Sequence, residues 1–315
     1  MQSLDISILK TLTYFDIFSY PLNQDEIIFF LDKPATNGSI SSSFDRLVKA
    51  KLLCKFDNFY SIRNAAELIK RRNDGNALAV IQIKKARKVS RFLSWIPYVK
   101  GIAISGSLSK NFADENSDLD FFIITKANRL WIVRIIYSFI YKIASTLRIK
   151  EWFCLNYFID ESELEIKEHN LFTAVELSTL MPLKGEKIFD DFFNANSWVN
   201  QFQPNFKPCY EYMNDASPTI LKRTIEWTMN NKCGDKLDAR LHLFFKKRFE
   251  RMTMENKQSE KGLTIGAYKA DKHACKPLPQ YFQPKILMKF QERFKIVEAK
   301  YYQVINKEKA LVQNA

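Results

Sequence analysis

Asp118 and Asp120 stand one residue apart, with Leu119 between them, at the head of the apolar run Phe121-Phe122-Ile123-Ile124. In an extended strand that spacing sets both carboxylates on one face, about 7 Å apart along the chain. Hard oxygen ligands sharing a face suit Mg²⁺, and Mg²⁺ suits the phosphates of a nucleoside triphosphate. Upstream, Ile102-Ala103-Ile104 delivers the chain into Gly106-Ser107. A residue without a side chain there lets backbone approach a ligand closely and frees amides to meet phosphate oxygens. Both apolar runs have the length and the β-branched or aromatic content of buried strands. Residues 100–126 are therefore expected to form a strand, a phosphate loop and a second strand, around which the rest is organised.

Gly106-Ser107, ten intervening residues, then Asp118-Leu119-Asp120-Phe121 resembles the signature of the nucleotidyltransferase superfamily related to DNA polymerase β, which reads Gly-Ser, a spacer, then Asp-apolar-Asp-apolar. The resemblance implies an α+β fold, a small mixed sheet with flanking helices. It implies transfer of a nucleoside monophosphate from a nucleoside triphosphate to a hydroxyl of an unknown acceptor: a small molecule, tRNA or a protein. Asp118 and Asp120 would be the catalytic metal ligands, and Gly106 and Ser107 would bind phosphate. Related enzymes generally place a third carboxylate on a later strand, holding two Mg²⁺ ions about 3.5–4 Å apart for in-line transfer.

Here the later strand is expected over residues 152–159, and the position for the acid holds Asn156. An amide oxygen can coordinate a metal but cannot accept a proton. Three accounts of Asn156 stand open. A neighbouring acid, Glu151 or Asp160, reaches the site, with Asp160 favoured by strand alternation because it lies four residues on. Or the substrate supplies the base and a single metal dominates. Or the fold binds a nucleotide without turning it over, as a regulator or adaptor that also contacts nucleic acid.

The 315 residues are 46% hydrophobic and 14% aromatic, enough to fill the cores of two or three modules. A net charge of +13 favours a polyanionic partner: nucleotide, nucleic acid or anionic lipid. Five scattered cysteines, with no Cys-x-x-Cys pair, suggest neither a disulfide framework nor a zinc ribbon, and a reducing cytoplasm is the default expectation. No secretory leader is expected, because the first residues lack a basic start followed by an apolar core. Residues 130–149 are apolar enough to invite a membrane reading, but Arg134, Ser138, Lys142 and Ser145 form a polar stripe at helical spacing. That pattern describes a largely buried helix rather than a span.

Residues 1–63 are expected to hold three helices and a hairpin, an arrangement that resembles a winged helix. Asn23 should cap the second helix, the third should start at Ser41 or Ser42, and Asp57-Asn58 should turn the hairpin. The third helix offers Arg46, Lys49 and Lys51 against Asp45, thin equipment for reading bases. The module otherwise docks a partner, a second copy of the chain included. Residues 64–97 read as a basic helical connector, with Gly75 a point of interruption and with Lys84 and Lys88 a turn apart, either solvated or bordering the phosphate site.

Residues 98–208 form the expected catalytic unit. Its succession of strand, acidic loop, Glu-containing helix and Asn-x-Trp segment resembles a group of bacterial nucleotidyltransferase domain proteins. His169 and Glu176 are expected to be ordinary surface or capping residues. Residues 209–315 read as helical, with a basic amphipathic stretch over 237–252, a mobile loop near 254–276 and a last helix over 285–304. His273 and Cys275 lack a second pair and do not make a metal site.

Overall fold

The computed structural model describes residues 2–64, 66–115, 117–211, 220–259, 268–277 and 282–313. α1 (Gln2–Asp16) buries Ile8, Leu12 and Phe15, and β1 (Leu22–Asn23) leads into α2 (Gln24–Phe30). Asn23 caps α2 as its side chain foretells: its Oδ1 accepts from Glu26 N at 2.9 Å while Glu26 Oε2 accepts from Asn23 N at 3.0 Å. α3 (Asn37–Lys49) starts ahead of the expected serines, where Ser39 Oγ accepts from Thr36 N at 3.2 Å. β2 (Cys54–Phe56) and β3 (Phe59–Ser61) form the hairpin, its turn made by Asp57 at φ 50°. β1 pairs with β3 and widens it to three strands.

α4 (Glu67–Leu93) is one helix of 27 residues, and Gly75 does not interrupt it. Gly75 instead lets the Phe112 ring lie on the helix where any Cβ would stand. Arg72, on the same basic helix, is turned inward. Its buried guanidinium donates to Pro21 O at 2.7 Å and Asn76 Oδ1 at 2.8 Å, pairs with Glu26 and lies 3.9 Å over the Tyr20 ring. The connector is thereby fastened to the N-terminal module.

β4 (Val99–Ile104), β5 (Asp120–Thr125), α5 (Leu130–Thr146), β6 (Cys154–Asp160), α6 (Leu171–Ser178), β7 (Met181–Lys184) and α7 (Glu186–Ala195) follow. Then come α8 (Ile220–Met229), α9 (Lys232–Ser259), β8 (Lys269–Ala270), β9 (Ala274–Lys276) and α10 (Phe282–Gln313). The strands form one mixed sheet in the order β7-β4-β5-β6-β9-β8. Among the described residues only β5 and β6 pair in parallel, as their α5 crossover requires. Ile104, Phe121 and Ile123 pack on one face against α4, α5 and α9, while Ala103, Phe122 and Ile124 pack on the other against α6 and α7. This is the alternation that two buried faces impose on a strand.

Three features go beyond the expectations drawn from the sequence. Residues 181–184, past the α6 helix, form an edge strand, which tolerates Pro182 because β4 is its partner on one side only. Within the expected mobile loop, α9 continues to Ser259 and residues 269–276 form strands, with Cys275 fully buried against Phe158; residues 260–267 lie outside the described residues. α10 packs along α1: Ile286, Phe290 and Tyr301 share an apolar cluster with Ile8 and Leu12, and Arg293 pairs with Asp16 at 2.6 Å. Among the described residues, no helix is long and apolar enough to cross a membrane.

Candidate functional site

β4 runs into the loop through Ser105, whose N donates to Asp120 O at 2.9 Å and sets the loop beside the head of β5. Gly106 then adopts φ +69°, the left-handed region. A Cβ there would lie 2.5 Å from Asp120 Oδ2, so only glycine lets this loop pass against that carboxylate. The Gly106 carbonyl accepts from Ser109 Oγ at 2.9 Å and Lys110 Nζ at 3.0 Å, which holds the turn after Ser107. The Tyr20 hydroxyl donates to the Lys110 carbonyl and ties the N-terminal module to the loop.

The regular strand begins at Asp120, and Asp118 lies two residues ahead of it, outside regular structure. Leu119 is buried between them, and its N donates to Glu151 O at 2.9 Å. Asp118 is exposed and Asp120 half-buried. Burial pushes the Asp120 carboxyl up to about 6; the negative charges of Asp118 and Glu176 add to the rise, while the Cys154 thiol and Lys110 oppose it. Asp118 is also raised, by desolvation first and then by the charge of Glu151.

Gly106, Ser107, Lys110, Asp120, Asn156 and Glu176 line a cleft of about 390 Å³, joined on its wall by Arg71 and by aromatic residues of α1. A second cavity of about 320 Å³ adjoins it, sharing Asn156, Phe172, Glu176 and Phe282. Asn156 reaches both because of a β-bulge. Phe121 pairs with Leu155 and Phe122 with Tyr157, so Asn156 is the extra residue.

Asp160 lies elsewhere. It pairs with Thr125 at the opposite end of β5 from Asp120, roughly 17 Å along the strand. Nor does alternation hold across the bulge: Asp160 falls on the face of Phe158, toward α5 and α9, whereas Asn156 lines the cavities on the α6 face. Asp160 is fully buried and accepts from Asn128 N at 3.2 Å and Ser162 N at 3.0 Å, with His273 Nδ1 at 2.8 Å, so it organises the end of the sheet. Glu151 is exposed beside Asp118, while Lys84 and Lys88 are exposed on α4 and line neither cavity. On α3, Arg46 is committed to Asp5 at 2.7 Å and Ser43 at 2.9 Å.

Glu176 has a larger place than its sequence context suggested. It lines both cavities and accepts from Lys110 Nζ at 2.9 Å. The available signal was its isolation as the one acid in α6, whose neighbours Thr173, Ala174, Val175, Leu177 and Ser178 are all buried. Among the described residues, no three His, Cys, Asp or Glu side chains converge as a metal cage, so Asp118 and Asp120 stand as a pair.

Residues 86–195 match a family model, the nucleotidyltransferase domain. The match supports the nucleotidyltransferase superfamily for this segment. It runs from within α4 to the end of α7 and so contains the Gly106 loop, both aspartates, Asn156 and Glu176. No curated protein and no solved structure matches the chain.

Proposed function

We propose that the cleft carries Mg²⁺-dependent nucleotidyl transfer. An acceptor hydroxyl oxygen forms a bond to the α-phosphorus of a nucleoside triphosphate, the bond from that phosphorus to the β-phosphate oxygen breaks, and pyrophosphate leaves. The observation that carries this reading is the abutment of the left-handed Gly106 on the Asp120 carboxylate, which sets a tight glycine turn beside an oxygen that could ligate a metal.

The donor set fits Mg²⁺, which commonly takes one or two carboxylates and completes its shell with substrate phosphates and water. Asp118 and Asp120 would hold it, and their mutual repulsion and burial are what a bound cation would relieve. When bound, the ion neutralises charge gathering on the transferred phosphoryl group. Gly106 and Ser107 bind the phosphates, with Lys110 and Arg71 supplying positive charge on the cleft wall. Asn156 cannot take a proton, and Glu176, which lines the same cleft, is the base for the acceptor hydroxyl. The adjoining cavity of about 320 Å³, largely apolar with Ser105 and Thr173 among its polar groups, favours a small-molecule acceptor over tRNA or a protein.

Pyrophosphate release from each of the four nucleoside triphosphates with Mg²⁺, across a panel of hydroxylated acceptors, tests the reading. Asp118→Asn and Asp120→Asn should abolish transfer with the fold intact, and Mg²⁺-dependent turnover retained in both would sink it. Triphosphate binding with no turnover by the wild type across the panel would favour the nucleotide-binding regulator instead.

A further inference from the structure

Between α5 and α9, beside the start of β6, lies a cavity of about 660 Å³ that shares no lining residue with the cleft. Arg134 and Lys142 from α5 and Arg248 from α9 line it, and no described Asp or Glu does. Arg134, Ser138 and Lys142 follow one another at single-turn spacing, so they form a row along α5. The polar stripe that argues against a membrane span thus has a defined place in the fold.

Arg134 differs from the other arginines drawn into this fold. Arg46, Arg63, Arg72, Arg129 and Arg293 each face a carboxylate. Half-buried Arg134 donates to Ser138 Oγ at 2.7 Å and lies 5.2 Å over the Phe245 ring, and its Nε is buried without a hydrogen-bond partner. Among the described residues, neither Arg134, Lys142 nor Arg248 has a carboxylate within ion-pair distance. A guanidinium withdrawn from water without an anion carries a desolvation cost that a bound phosphoryl group would offset, through charge-assisted and often bidentate hydrogen bonds. Phe139 and Tyr141 also line the cavity and are 65% and 40% exposed, flat surfaces on which a base can stack.

We propose that this cavity is a second binding site, separate from the cleft, for a phosphorylated nucleoside unit. The phosphoryl group sits on Arg134, Lys142 and Arg248, and the base lies against one of the two exposed rings that flank the row, Phe139 or Tyr141. A free mononucleotide and a nucleotide within a single strand share this chemistry. The site does not depend on the cleft being a transferase.

Calorimetric titration of the full chain in EDTA with AMP, a 5′-phosphorylated single-stranded hexanucleotide and inorganic phosphate tests it. Wild-type protein should bind AMP or the hexanucleotide at least about tenfold more tightly than phosphate. Lys142→Ser with Arg248→Ser, both exposed positions, should weaken that binding at least about tenfold, and Asp118→Asn should leave it unchanged. AMP bound as tightly as the hexanucleotide assigns a free mononucleotide. A tighter hexanucleotide, with affinity falling steeply with salt, assigns a strand. Absence of saturable nucleotide binding, equal affinity in the double variant, or phosphate matching both nucleotides would overturn the proposal.

Discussion

Replacing Asp120 by asparagine should stabilise the protein at neutral pH while removing the proposed transfer. In the folded chain this carboxyl is raised from the usual 3.8 to about 6, by burial first and then by the charges of Asp118 and Glu176. A raised acid favours the protonated form in the fold. Its stabilising contribution is therefore fully present below pH 3.8 and lost as pH rises through about 6. At 1.36 kcal/mol per pH unit the displacement corresponds to a ceiling of about 3 kcal/mol of strain at pH 7.5. Solvent access to this half-buried group through the cleft brings the expected figure to about 1–2 kcal/mol. Thermal or urea unfolding of wild type and Asp120→Asn, compared from pH 4 to pH 8, reads the difference directly. The gap should be near zero at pH 4 and open through pH 6 in favour of the variant. Mg²⁺ with a triphosphate should raise the midpoint of the wild type and leave the variant unmoved. A variant less stable than wild type at pH 7.5, or a gap independent of pH, would refute the placement of Asp120 among like charges.

Glu176→Gln removes the proposed base and one of the charges that raise Asp120, so it should lower the Asp120 pKa and cut transfer by roughly 10²–10⁴-fold, with triphosphate binding retained. Unchanged pyrophosphate release would remove Glu176 from the mechanism. Gly106→Ala should cost about 1–2 kcal/mol through its left-handed backbone alone and weaken triphosphate binding further, because the new methyl meets the Asp120 carboxylate. Full triphosphate affinity in calorimetry would count against that loop as the phosphate cradle. Arg72→Met should lower stability by about 3 kcal/mol in urea unfolding, since it leaves Glu26 and the Pro21 carbonyl without their buried partner.

Local chemistry made much of the chain readable in one dimension. Ile102 to Ile104 and Phe121 to Ile124 are strands because alternate residues of each enter opposite cores; Gly106 is a loop glycine because no side chain fits there; Asn23 caps α2 through groups three residues apart. Each of these depends on a residue and its near neighbours. Tertiary contacts decided the rest. Glu176 joins the site because α6 packs across the sheet and brings it to Lys110, 66 positions away. Asp160 leaves it because the bulge at Asn156 breaks the alternation and turns Asp160 to the other face, at the far end of the strand. The N-terminus of α5 is capped by Asp238, whose Oδ1 accepts from Trp131 N at 2.8 Å and Ile132 N at 2.9 Å, a partner more than a hundred residues downstream. The short pieces 181–184 and 269–276 become strands only where β4 and β6 offer open edges, since so few residues carry no periodicity of their own. Sequence therefore determined which groups this protein brings to chemistry, and tertiary packing decided which of them meet.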